Sequence, residues 1–255
     1  MSPSDVSEVS TCPLCGGTGW ARVHRDRVDG VTRCECQKRS RSDRLLRNAK
    51  IPTRYTHCDL DNFDLSPRLT NRSHAGAKIA AEHFVREYPG SMPFGLLFMG
   101  PPGVGKTHLA VGIIKSLMNL KAVPCLFRTF PELLKEIQNS YSPISQSSEF
   151  SLLSPVLDTE VLVLDELGAQ TPSSWVKDTV SYIINYRYGE NKVTIFTTNY
   201  LDKDEPSGGT KASASYTLAE RIGVQMRSRL YEMCKTLVIE GNDFRHEVKQ
   251  AQHHF

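Results

Sequence analysis

Between Phe94 and His108 an apolar run of strand length stops at Gly100, crosses Pro101, Pro102, Gly103, Val104 and Gly105, and meets Lys106 and Thr107 at the head of an amphipathic segment. A strand, a loop too rich in Gly and Pro to be helical, and a helix must follow one another here. Gly100 and Gly105 suit a loop whose backbone N–H groups converge on phosphate oxygens, where a Cβ would intrude. Lys106 brings a point charge to the β and γ phosphates and Thr107 a hydroxyl for Mg²⁺. The helix, expected from Thr107 to about Leu120, turns its unpaired N–H groups and positive dipole end toward the same anion. The stretch reads as a phosphate cradle, against the plainer reading of a Gly-rich turn.

A second anchor lies at Val161–Glu166. Four apolar residues make a buried parallel strand, and Asp165 and Glu166 emerge at its C-terminal end, where open α/β sheets place ligands. Asp165 is suited to hold Mg²⁺ beside Thr107, and Glu166 to polarise an attacking water. The strand Val193–Asn199, expected between the other two, would bring Asn199 to the γ phosphate or the water, unless Asn199 only ends its strand.

Seven cysteines accompany a polar N-terminus without a signal-peptide pattern, so a disulfide framework is not expected. Cys12, Cys15, Cys34 and Cys36 cluster around a hairpin-like stretch with Gly16, Gly17 and Gly19, which suits a four-thiolate zinc knuckle. Redox or iron–sulfur chemistry and unliganded thiols are the rivals, and His24 and His57 are candidate substitutes for a cysteine ligand. No apolar run approaches a membrane span, so the expectation is a cytoplasmic protein with no membrane partner. The formal charge of +3 is small, yet Lys38, Arg39, Arg41, Arg44, Arg47, Lys50 and Arg54 face the single acid Asp43. Residues 37–50 therefore read as a basic helix, either a solvated link or a contact face for an acidic partner or phosphates.

The remaining chain reads as a helix over 71–87, a strand over 124–127, a helix from Pro131, a polar loop over 141–151 and a helix over 171–187. A flexible stretch over 202–217, a helix over 218–233 and a last strand over 236–240 complete it. Residues 1–10 are expected to be mobile. Two domains result: 1–50, the zinc module with the basic helix, and 51–255, the phosphate-binding domain.

Taken with Ile51 to Tyr55, Ile183 to Tyr188, and Arg227 to Cys234, these motifs resemble the AAA+ ATPases of the DnaC/DnaI helicase-loader and IstB-like group over roughly residues 51–245. His108 after Lys106 and Thr107 is among the more particular marks of that group. The resemblance implies a P-loop AAA+ fold, a five-stranded parallel sheet sandwiched by helices without a helical lid. It also implies ATP with Mg²⁺ bound between subunits of a homo-oligomer. It places a trans arginine finger on the 218–233 helix, where the expected position holds Gln225, so that Arg229 and Arg221 are the candidates for catalytic arginines. The implied partners are a replicative DNA helicase of the DnaB type, gripped by the N-terminal region, and single-stranded DNA. Two other readings stand beside it: an IstB-like transposition ATPase that oligomerises on and bends duplex DNA, and a nucleotide-gated adaptor with incidental turnover.

Overall fold

The structure, a computed structural model, describes residues 12–25, 28–66, 70–90, 94–142, 148–202 and 217–246. Strands β1 (Trp20–Arg25) and β2 (Val28–Arg33) form the expected antiparallel hairpin, Trp20 facing Arg33. The Cys34 N–H donates to the Gly19 carbonyl at 2.8 Å and closes its base. Helix α1 (Glu35–Asn48) follows at once and carries the basic residues.

The larger unit contains α2 (Arg72–Glu87), β3 (Gly95–Met99), α3 (Lys106–Lys121), β4 (Cys125–Thr129), α4 (Phe130–Ser140) and α5 (Glu149–Asp158). It continues with β5 (Val161–Asp165), α6 (Ser174–Gly189), β6 (Val193–Thr198), α7 (Leu218–Ile222), α8 (Val224–Met233) and β7 (Cys234–Val238). Strands β4, β5, β6, β3 and β7 lie in that order in one all-parallel sheet. Successive residues of a strand point to opposite faces, so each strand serves two cores. Leu96, Phe98, Val163 and Ile195 pack with α2 and α3, while Leu97, Met99, Leu164 and Phe196 pack with α4 to α8. Burial on both faces explains why these strands read as unbroken apolar runs. The P-loop AAA+ sandwich expected from the sequence is present, and no helical lid follows β7 among the described residues.

Helix α1 is fastened to the sandwich. Arg41 Nη2 donates to the Ala122 carbonyl and Ser42 Oγ to the Met118 carbonyl, both at 3.2 Å, at the last turn of α3. The Phe127 N–H of edge strand β4 donates to the Ala49 carbonyl at 2.8 Å. The basic face is thus part docking surface and part solvated.

The structure differs from the sequence reading in three elements. The polar loop over 141–151 ends early, because the Ser148 hydroxyl caps α5 by accepting from the Ser151 N–H and Leu153, Val156 and Leu157 are buried. The helix expected over 218–233 is two helices, split at Gly223 with φ of 92°. The last strand starts at Cys234, directly after α8, two residues before its predicted start. The expectations for residues 1–10, for most of the 202–217 stretch and for residues 143–147 lie outside the described residues. No described helix is long and apolar enough to cross a membrane.

Candidate nucleotide and metal sites

Strand β3 delivers the cradle. Gly100 has φ of 148°, and a Cβ there would overlap the carbonyl oxygen of Ile239, just beyond β7. Gly105 has φ of 93°, and its Cβ would lie 2.5 Å from Phe63 Cε2. Both positions require glycine for reasons internal to the chain as well as for the approach of an anion. Lys106 is buried at the first turn of α3 and donates to the carbonyls of Gly100 and Pro101, each at 2.7 Å. Burial pulls its ammonium pKa down to about 8, against the upward pull of Asp165.

Thr107 Oγ1 donates to Asp165 Oδ1 at 2.9 Å. Asp165 is 1% exposed, and that burial raises its pKa, while hydroxyls from Thr197 and Thr107 oppose the shift. Glu166 follows in the left-handed region, φ of 59°, a backbone state unusual for a residue with a side chain. The Thr197 Oγ1 accepts from the Glu166 N–H at 3.0 Å and donates to Asp165 Oδ1 at 2.5 Å, so one β6 hydroxyl steadies both carboxylate residues. Sequence reasoning missed Thr197, because threonine is an ordinary strand residue.

A cavity of ≈ 190 Å³ gathers Pro102, Gly103, Gly105, Lys106, Thr107, His108, Glu166 and Asn199, so the nucleotide motifs converge as expected. Its wall also includes Arg54, Tyr55, Phe244 and Arg245, which the sequence reading left without a role. Arg245 arrives because the tail crosses the cradle, where the Phe244 N–H reaches the Gly103 carbonyl at 3.4 Å. The motif around Arg54 was visible in the sequence; nothing local marked Arg245. A second cavity of ≈ 260 Å³ is lined by Phe63, Val104 and Phe244 together with polar residues that include Asn62, Asp64, His74 and His108. His108 itself points Nε2 at the Asp59 carbonyl and Asn62 Oδ1, both at 2.9 Å, and so clamps the 59–62 segment onto α3.

The candidate arginines behave differently. Arg221 stacks 4.5 Å over the Tyr200 ring and donates to the Gln170 carbonyl at 3.2 Å. Arg229 lies beyond the break at Gly223, its guanidinium 5.8 Å from the Tyr188 ring, on the same helix as exposed Gln225. Neither lines the phosphate cavity of its own chain. Gly223 puts Arg221 on α7 and Gln225 on α8, so the two do not share one continuous helix.

At the N-terminus the sulfurs of Cys12, Cys15, Cys34 and Cys36 all lie within 4.8 Å of one another. Cys12 Sγ is 3.7 Å from Cys34 Sγ, and Cys15 Sγ is 3.5 Å from Cys36 Sγ. Tetrahedral zinc with bonds of about 2.3 Å sets its sulfurs about 3.8 Å apart, so the four fit that ion. The Gly19 N–H donates to Cys15 Sγ at 3.3 Å, the inward-turned amide expected of a knuckle. His24 is instead paired with Asp29 at 2.6 Å, and His57 packs near His108; neither belongs to the cluster.

The model of the IstB-like ATP binding protein family matches residues 22–252. The chain belongs to that family. This IstB-like chain is 28% identical over 156 residues to the replicative helicase loader DnaC of Escherichia coli K12, 61% of each chain. It is 23% identical over 220 residues to the protein YqaM of Bacillus subtilis, 81% of this chain and 62% of that one. Among solved structures it is similar to a DnaC helicase loader, with 35% identity and a TM-score of 0.60 over 73% of this chain and 99% of that one. A DnaI structure gives 27% identity and a TM-score of 0.57, over 76% and 94%. The sequence matches span about three fifths of the curated DnaC relatives. The IstB-like chain therefore sits in the DnaC/IstB-like AAA+ group that its motifs resemble.

Proposed function

We propose that this protein is an ATP-dependent replicative helicase loader, which hydrolyses ATP as a timing switch while delivering a helicase to single-stranded DNA. The convergence of Lys106, Thr107, Glu166 and Asn199 on one cavity, with Asp165 buried behind it and bonded to Thr107, carries the ATPase part. Lys106 binds the β and γ phosphates, and the open N-terminus of α3 receives the same charge. Thr107 and Asp165 would hold Mg²⁺, which supplies charge neutralisation at the phosphate oxygens when bound. Glu166, turned outward by its left-handed backbone, accepts a proton from the attacking water, and Asn199 orients that water or the γ phosphate.

Arg54 and Arg245 bring two positive charges to the cavity from the same chain. They stand beside the trans arginine that the resemblance implies and do not replace it. Arg229, which does not line the cavity of its own chain, is the candidate for completing a neighbour's site, and ATP would join subunits into a homo-oligomer. Arg221, held on Tyr200, is the weaker candidate. The four cysteines would hold zinc as a structural ion. In this reading the zinc module and basic helix α1 are the part that grips the helicase.

The test is affinity capture with ATP and with ADP, using wild type and Glu166→Gln. A replicative helicase retained by Glu166→Gln with ATP and released by wild type after hydrolysis is the expected result. The family match favours a second reading, a transposition ATPase acting on duplex DNA. Tight, length-dependent duplex binding without helicase capture would select it. An adaptor with incidental turnover predicts that Glu166→Gln keeps full biological function.

A further inference from the structure

A groove of ≈ 470 Å³ opens between the hairpin, α1 and the last turn of α3, lined by Trp20, Arg33, Lys38, Arg41, Arg44 and Leu120 among others. Among the described residues no Asp or Glu lines it. It lies at the opposite end of α3 from the cradle, about 24 Å away for sixteen residues of helix. We propose that this groove is a binding site for single-stranded nucleic acid, with a base stacked on Trp20 and neighbouring phosphates held by Arg33 and Arg44. The site is separate from the ATP cavity and does not depend on the helicase reading.

Trp20 is 53% exposed, and its indole N–H has no acceptor among the described residues. A large aromatic face left in water beside unpaired cations is the arrangement that takes unstacked bases. The side chains of Arg33 and Arg44 make no hydrogen bond or ion pair among the described residues, whereas Lys38 is paired with Glu35 at 2.6 Å. Arg41 has a different task. By donating to the Ala122 carbonyl it covers the negative end of α3, which would otherwise repel a phosphate.

The exposed ring separates a strand from an acidic peptide. Of the row Lys38, Arg41 and Arg44 on α1, the first is paired with Glu35 and the second holds the Ala122 carbonyl, which leaves Arg44, with Arg33, for phosphates. The indole face beside them takes a base, which an acidic peptide does not carry. Arginine dominates the row, and its planar donor fork suits phosphate oxygens. A duplex would keep its bases stacked away from Trp20.

The test uses the full chain without nucleotide and a fluorescein-labelled oligothymidylate of about 15 nucleotides, read by anisotropy across salt concentrations. The pair Arg33→Ala and Arg44→Ala is expected to weaken binding at least ~10-fold and to reduce the slope of log K against log salt by about 1.4. Trp20→Ala should weaken it ~5- to 100-fold, and Trp20→Phe should restore most of the loss. Unchanged ATP affinity and zinc content would show that the variants remain folded; should Trp20→Ala lose zinc, Trp20→Phe and the arginine pair decide. Wild-type binding by the folded variants overturns the proposal. So does a duplex of equal length that binds as tightly as the single strand. Competition by polyglutamate of equal charge, with Trp20→Ala leaving oligothymidylate binding intact, would instead make the groove an acidic-peptide site.

Discussion

Thr197 Oγ1 lies 2.5 Å from the Asp165 oxygen that Thr107 also approaches, and it receives the backbone N–H of Glu166 at 3.0 Å. A single strand residue thereby positions both carboxylate residues, Asp165 and Glu166, to which the proposed function gives the Mg²⁺ and the attacking water. Thr197→Val keeps the shape and removes both bonds. It should cost about 1–3 kcal/mol of stability, because the Glu166 N–H loses its partner. ATP hydrolysis is expected to fall at least ~10-fold, as expected when a positioned catalytic group is misplaced. ATP affinity should change little, since Lys106 and the loop amides remain. Thermal melts, turnover and nucleotide titration check the three separately.

Lys106 gives a pH dependence with two signs. Its pKa falls from 10.5 to about 8 on burial, so between those values the unfolded chain carries more protons than the folded one. Stability from this group therefore rises with pH across that window. ATP acts oppositely, because phosphate charge favours the ammonium. Above pH about 8, binding should take up a proton and weaken as pH rises. Calorimetry in buffers of different ionisation enthalpy measures the uptake, and Lys106→Met should abolish it.

Arg187 is 1% exposed, and its guanidinium donates to the carbonyls of Val156, Leu157, Thr159 and Val193 and to the Thr194 hydroxyl. It ties the end of α5 to the start of β6. A lysine cannot reach so many acceptors from one point. Arg187→Lys should lower stability by ~3 kcal/mol, read as a lower urea midpoint at constant m-value. Nucleotide affinity of the folded fraction should remain at the wild-type value.

The cysteine cluster predicts about one zinc per chain. Cys34→Ser should lose it, and so should chelation. The hairpin is then expected to melt, because its few apolar residues, Val23 and Val31 among them, are exposed. ATP affinity should be unaffected, since no residue before Arg54 lines the phosphate cavity. Metal analysis beside nucleotide titration checks both halves.

The parts of the site visible in the sequence are those carried by short, continuous segments. Strands β3 and β5 are buried on both faces, so they appear as apolar runs, and the residues that end them bear the chemistry. Asn71, which caps α2 by accepting from the Ser73 N–H, likewise marks its own helix start. Other features depend on chain crossovers. Arg245 enters the cavity only because β7 lies beside β3, and no local pattern states that pairing. Gly223 was visible, but a glycine inside a helical pattern does not reveal whether the helix bends or stops. Ser148 looked like loop composition until its capping bond gave it a direction.

Strand β3 sits between β6 and β7, which the chain supplies far later. During synthesis it therefore emerges with neither neighbour in existence. At about 5–20 residues per second, the roughly hundred residues to the end of β6 represent about 5–20 s in which this apolar strand has no parallel partner. The cradle stays unsupported longer still, until Ile239 arrives behind Gly100. Nucleotide binding is consequently a late event in the life of each new chain.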